Sequence, residues 1–108
     1  MPEPPYYAAL FTSVRTEGDH GYAEMAERMV ELVEKQEGFL GMESVREGRV
    51  GITVSYWASL EAIEKWRQNA EHRRAQQMGR EKWYREYRLR VARVERSSVC
   101  FRGRGGGD

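Results

Sequence analysis

With 108 residues, 40% of them hydrophobic and 32% charged, the chain has room for one domain, which at this size buries roughly 65% of the surface that its unfolded form exposes. Lys and Arg (18) nearly balance Asp and Glu (17), leaving a net charge of +1, so no global field draws the protein to nucleic acid or to an acidic membrane. A single cysteine, Cys100, excludes an internal disulfide and a cysteine-based zinc site and fits a reducing, cytoplasmic compartment.

No apolar run approaches the ~20 residues of a membrane span, and the opening MPEPPYY has neither the basic region nor the apolar stretch of a signal peptide. Pro2, Pro4 and Pro5 make residues 1–5 extended and poor at pairing, so order is expected from Tyr6. Residues 6–16 read as a first strand, with Tyr7, Ala9, Phe11 and Ser13 on one face. Tyr6, Ala8, Leu10, Thr12 and Val14 take the other, the more continuous candidate for a helix-covered side. After the loop Gly18-Asp19-His20-Gly21, apolar positions fall at Tyr22, Met25, Ala26, Met29, Val30 and Val33, the spacing of an amphipathic helix. Gly38 is its natural stop. His20, in that glycine-rich loop, has no acidic or imidazole partner at ligand spacing and makes no metal site.

The stretch from Glu37 to Trp66 organises the rest. Residues 39–47, the turn residues Arg46-Glu47-Gly48-Arg49 and the β-branched, aromatic run 50–57 spell a β-hairpin. Ser59 stands where a helix N-cap belongs, with Glu61 in the first turn and Leu60, Ile63, Trp66 and Ala70 as the apolar stripe. Residues 71–82 continue as a more polar helix, broken or kinked near Asn69 and ended by Gly79. Residues 83–96 return to strand, with Tyr87, Leu89 and Val91 on one face, Ala92 and Val94 on the other, and room for a bulge near Val91. From Ser97 to the end, RGRGGGD included, little is available to bury, and a flexible tail is expected.

The order β-α-β-β-α-β predicts an α+β, ferredoxin-like domain, 6–96, whose four antiparallel strands carry helices on one face. Tyr7, Phe11 and Trp57 then place aromatic surface on the second face, too much to leave in water. Stacking two sheets in a homodimer, a dimeric α/β barrel, is the simplest remedy.

Glu37-Gly38-Phe39 followed by Gly41-Met42, the strand ending at Tyr56-Trp57, then Ser59 and the helical Trp66 resemble the antibiotic biosynthesis monooxygenase domain family, over roughly residues 6–96. The resemblance implies a ferredoxin-like dimer with a pocket between sheet and helices, often working without a metal or organic cofactor. The family also includes haem-degrading members, whose site combines an Asn on the first strand, a Trp on the second helix and a His ten residues later. Trp66 matches that Trp, whereas Gln76 stands at the His position and Phe11 at the Asn position, so haem is only a secondary reading, with His72 as a substitute ligand.

Oxygenation without a cofactor requires an electron-rich phenol, quinol or anthrone to lose a proton, so that its anion can pass an electron to O₂. The site needs a base, donors for the anion and dry walls. His72 is the candidate base, since an imidazole accepts protons at neutral pH; the alternative is a solvated residue among Glu71, Arg73 and Arg74. Trp66 offers an apolar wall and an N–H donor, or else simply fills the core. Gln76, Arg80 and Tyr87 are candidate donors to an oxyanion, and Phe11 and Trp57 are expected beside the small aromatic substrate. A non-catalytic dimer that binds a ligand or responds to stress remains the alternative of another class.

Overall fold

A computed structural model describes residues 2–100 and 102. The elements run β1 (Tyr6–Arg15), α1 (Tyr22–Val33), β2 (Phe39–Glu47), β3 (Val50–Trp57), α2 (Leu60–Gln68), α3 (Ala70–Met78), a π-helical turn (Gly79–Trp83) and β4 (Tyr84–Val94). All strand pairs are antiparallel, in the order β2-β3-β1-β4. The fold is ferredoxin-like, with the second helical region split in two. Phe101 and residues 103–108, the greater part of the tail expected to be flexible, lie outside the described residues; residues 95–100 carry no regular structure.

Local chemistry sets the boundaries. Asp19 begins α1 by accepting from the backbone N–H of Gly21 (3.0 Å) and Ala23 (3.2 Å). α1 ends at Val33 with Glu34 as its cap, short of the stop expected at Gly38; Gly38, at φ +84°, instead turns the chain into β2, passing so close to α2 that a Cβ would collide with Ala62. Ser59 caps α2 as expected, its Oγ accepting from Ala62 N–H at 3.1 Å. Ser59→Ala is expected to cost about 1 kcal/mol of stability, measurable as a lower urea midpoint at unchanged m-value. α3 ends at Met78 with Gly79 as its cap, as expected, but Gly79 keeps helical angles (φ −58°, ψ −48°) and the backbone runs on through the π-helical turn to buried Trp83. No bulge occurs near Val91. The irregularity in β4 lies where Val14 pairs Glu86 and Arg15 pairs Tyr84, because simple alternation already puts Val91 and Ala92 on opposite faces.

The strand registers map the helix-covered face as four rows across the sheet. These are Phe39-Trp57-Tyr7-Arg93, Met42-Ser55-Ala9-Val91, Ser44-Thr53-Phe11-Leu89 and Arg46-Gly51-Ser13-Tyr87. Ala9, Trp57, Val33, Ala62 and Ile63 form the buried core, with Tyr7, Phe39, Met42 and Trp66 packed against it. The two faces of β1 are therefore the reverse of the sequence expectation. Tyr7, Phe11 and Trp57 lie under the helices, and Trp57 is only 1% exposed. The second face carries Leu10, Thr12, Val14, Val45, Val50, Ile52, Val54 and Tyr56. Within α2, Ala62 joins Ile63 in the core while Leu60 is half-exposed and Ala70 exposed; in α1, Val30 is exposed too.

Candidate active site

The helix-covered face holds two aromatic clusters separated along the strands. The first stands at the Tyr7 end. Phe39 meets Trp57 edge-on at 5.3 Å between ring centroids, Trp57 stacks at 6.4 Å with Trp66, and Trp66 stacks at 4.1 Å and 13° on the imidazole of His72. Trp57 Nε1–H donates to Ser55 Oγ at 2.9 Å, which satisfies the buried indole and leaves it a structural wall. Trp66 is half-buried between that wall and His72.

His72 is positioned by the break between α2 and α3. Its Nδ1 lies 2.9 Å from the Trp66 carbonyl; a carbonyl only accepts, so Nδ1 carries the proton and Nε2 keeps the lone pair. Burial disfavours the charged imidazolium and pushes the His72 pKa below its ordinary value, outweighing the opposite pull of the Trp66 carbonyl, with nearby Arg67 acting in the same direction as burial. Neither Nε2 of His72 nor Nε1–H of Trp66 has a protein partner among the described residues. A free acceptor and a free donor thus stand on stacked rings.

The second cluster lies about 14 Å further along β1, four residues at ~3.4 Å each. Phe11 packs against Tyr84 (5.3 Å) and Tyr87 (5.4 Å), and Tyr84 lies 6.0 Å from Tyr22. The Arg15 guanidinium covers the Tyr22 ring at 3.6 Å. Arg46 donates to Ser13 Oγ and to the Arg49 carbonyl, both at 2.8 Å, lying flat across Gly51, where any side chain would strike the guanidinium. Burial, followed by the hydrogen bond with Tyr22, raises the Tyr84 pKa, so its hydroxyl stays protonated. Small side chains at Ala9 and Ser55 line the sheet between the clusters.

Among the residues expected in a site, Trp57, Trp66 and His72 come together at one end, Phe11 and Tyr87 at the other. Gln76 is half-buried on α3, and Arg80 is exposed in the π-helical turn. Tyr84, Arg15 and Arg46 escaped the reading of candidate site residues; the signal for Arg46 was a glycine inside a strand, Gly51, which marks a close approach. The residues do not fit the haem site of the haem-degrading members: Phe11 is engaged with two tyrosines, and Gln76 offers an amide in place of an imidazole. Among the described residues no three of His, Cys, Asp and Glu converge as a metal site.

A four-stranded antiparallel sheet with its helices on one face, in this element order, places the chain in the ferredoxin-like class of small α+β domains. The chain belongs to the antibiotic biosynthesis monooxygenase family, whose model matches residues 5–78. It is 60% identical over 100 residues to the uncharacterized protein YqjZ of Bacillus subtilis (strain 168), covering 91% of this chain and 87% of that protein. SnoaB, a cofactor-independent oxygenase from Streptomyces nogalater, shares the fold at a TM-score of 0.69 and 9% identity, over 89% of this chain and 97% of SnoaB. Protein SO0527 from Shewanella oneidensis does so at a TM-score of 0.74 and 7% identity, over 83% and 91%. These two likenesses concern fold alone. No helix among the described residues is long and apolar enough to cross a membrane.

Proposed function

We propose that the protein is a monooxygenase that oxidises a small phenol-, quinol- or anthrone-like compound without a cofactor, in the reducing interior that its single cysteine suits. The observation that carries this reading is the pair of free groups on stacked rings, His72 Nε2 and Trp66 Nε1–H. In that role Nε2 takes the proton from the activated O–H or methylene C–H of the substrate, and the indole N–H donates to the oxygen that gains charge. The anion gives an electron to O₂, the two radicals combine, and loss of water turns an activated methylene into a carbonyl: R₂CH₂ + O₂ → R₂C=O + H₂O. Phe11, Tyr84 and Tyr87 supply a second apolar surface on the same sheet face, with Arg46 beside it.

Oxygen uptake against a panel of anthrones and hydroquinones tests the reading. Uptake is expected with wild type, and a loss of about 10²-fold or more in kcat/KM for His72→Ala, the usual worth of a positioned base. Because burial lowers the His72 pKa, the imidazole stays neutral to a lower pH than a free histidine, and the acid limb of the profile should fall below pH ~6.5. The same sign holds for stability: the unfolded chain binds the proton first, so the His72 contribution is complete above pH ~6.5 and is lost as pH falls through the lower folded value. Absence of uptake above the Trp66→Ala background across the panel removes the catalytic reading.

The protein acts as a homodimer in this reading, through the sheet face opposite the helices. Val45, Val50 and Ile52 are 68%, 58% and 43% exposed there. On that face β2 carries Glu43 and Glu47, and β4 carries Arg88 and Arg90 together with Glu86, which pairs with Arg88 at 3.7 Å. A two-fold axis along the strands sets β2 of one copy over β4 of the other and brings Glu43 to the row of Arg90, whereas an axis across the strands sets the β2 acids on one another.

A further inference from the structure

The helical path from Trp66 to His72 is interrupted at one residue. In an unbroken helix the Trp66 carbonyl accepts from the N–H four residues on, at Ala70. Here Asn69 leaves helical geometry (φ −58°, ψ 129°), and that bond is not made. Instead the Trp66 carbonyl accepts from Asn69 N–H at 3.1 Å and from His72 Nδ1–H at 2.9 Å. The Asn69 side chain sustains the break: Oδ1 accepts from the backbone N–H of Glu71 (3.0 Å) and His72 (3.2 Å), and the Asn69 carbonyl accepts from Arg73 N–H at 2.8 Å. An asparagine here therefore does more than start α3. It frees a carbonyl of α2 to face a side chain of α3, and it brings the His72 ring onto the indole from which that carbonyl's residue projects.

We propose that Asn69 is a positioning residue: by breaking the helix between Trp66 and His72 it locks the imidazole as its Nδ1–H tautomer, stacked on Trp66, and leaves Nε2 as the nitrogen that meets substrate. This rests on the reading of His72 as base, but the lock itself is a property of the resting protein. Asp at position 69 keeps an oxygen for the same two N–H groups, while Ala removes it and favours a continuous helix, in which Ala70 N–H claims the Trp66 carbonyl. Without its acceptor the neutral imidazole redistributes its proton between the two nitrogens. Only the fraction with a bare Nε2 is then competent, and the apparent rate falls by that fraction.

Nitrogen-15 NMR of histidine-labelled protein above the imidazole titration tests the lock. His20, whose Nε2 lies 3.0 Å from the Glu17 carbonyl, is assigned by its loss in His20→Gln and serves as the opposite tautomer within the same spectrum. Wild-type His72 is expected as Nδ1–H, Asn69→Asp likewise, and Asn69→Ala as a mixture dominated by Nε2–H. Oxygen uptake should follow, with kcat down about tenfold in Asn69→Ala at little-changed KM and restored in Asn69→Asp. A wild-type His72 found as Nε2–H overturns the proposal whatever the variants do, so it stays falsifiable even where Asn69→Ala folds poorly. An unchanged tautomer in folded Asn69→Ala overturns it as well. If the tautomers behave as stated while wild type consumes no oxygen with any of the panel, the lock stands and the oxygenase reading falls.

Discussion

Replacing Trp57 by alanine is expected to lower the free energy of unfolding by about 3–5 kcal/mol, the usual cost of emptying a large aromatic site in a core. Trp57 is 1% exposed and belongs to the cluster of Ala9, Val33, Ala62 and Ile63. Its ring also meets Phe39 edge-on and stacks with Trp66, and its N–H fills the hydrogen-bonding need of Ser55. The space cannot collapse easily, because Gly38 already brings its strand-entry loop against Ala62. Against a total stability of about 5–15 kcal/mol, such a loss removes much of the folded population. Urea unfolding followed by far-UV circular dichroism reads it directly. Trp57→Phe, which keeps most of the packing and loses the indole N–H, should cost clearly less; a Trp57→Ala cost below about 1 kcal/mol means that the indole does not hold sheet and helices together.

At micromolar concentration the protein is expected to sediment at twice its chain mass of 12.6 kDa, and Leu10→Asp or Val54→Asp to sediment as a monomer. Both residues sit in the middle of the face that the helices leave uncovered, paired across β1 and β3, and a carboxylate buried there without a partner costs several kcal/mol. A standard interface removes roughly 1,600 Å² in total, half of it from each four-stranded face. Charge reversal probes the orientation. Glu43→Arg alone should weaken the dimer, and the double change Glu43→Arg with Arg90→Glu should restore it, since the two charges of that one pair then exchange signs. A wild-type mass near one chain that does not rise with concentration removes the dimer, and failure of the double change to rescue leaves the dimer but not the axis along the strands.

The hairpin, both helical starts, the break near Asn69 and the order of elements along the chain were legible because each depends on residues close in sequence: β-branched alternation, apolar positions at helical spacing, a serine cap. Which side of β1 meets the helices was not legible. Alternation says that Tyr7, Ala9 and Phe11 share a face and Tyr6, Ala8 and Leu10 the other, but both sets are apolar, and period two carries no sign. The choice is made at long range, where the Trp57 indole finds Val33, Ala62 and Ile63. The pairing of Trp66 with His72 was hidden for a related reason. Helix rotation counts positions only along an unbroken helix, and the ring stack arises because the helix breaks between them. Arg46 lying on Gly51 required knowing that β2 and β3 set those two residues opposite each other.

The strand order has one more consequence, for the size of any assembly. With β3 and β1 inside, only β2 and β4 have backbone free to recruit another strand. β2 carries Glu43, Arg46 and Glu47, and β4 carries Arg85, Glu86, Arg88, Arg90 and Arg93. Charged side chains at this density deter edge-to-edge addition. Self-association through a single self-complementary face is also finite, because the second copy uses the only surface that a third would need. Its charged edges thereby keep the sheet from propagating into a ribbon or fibre.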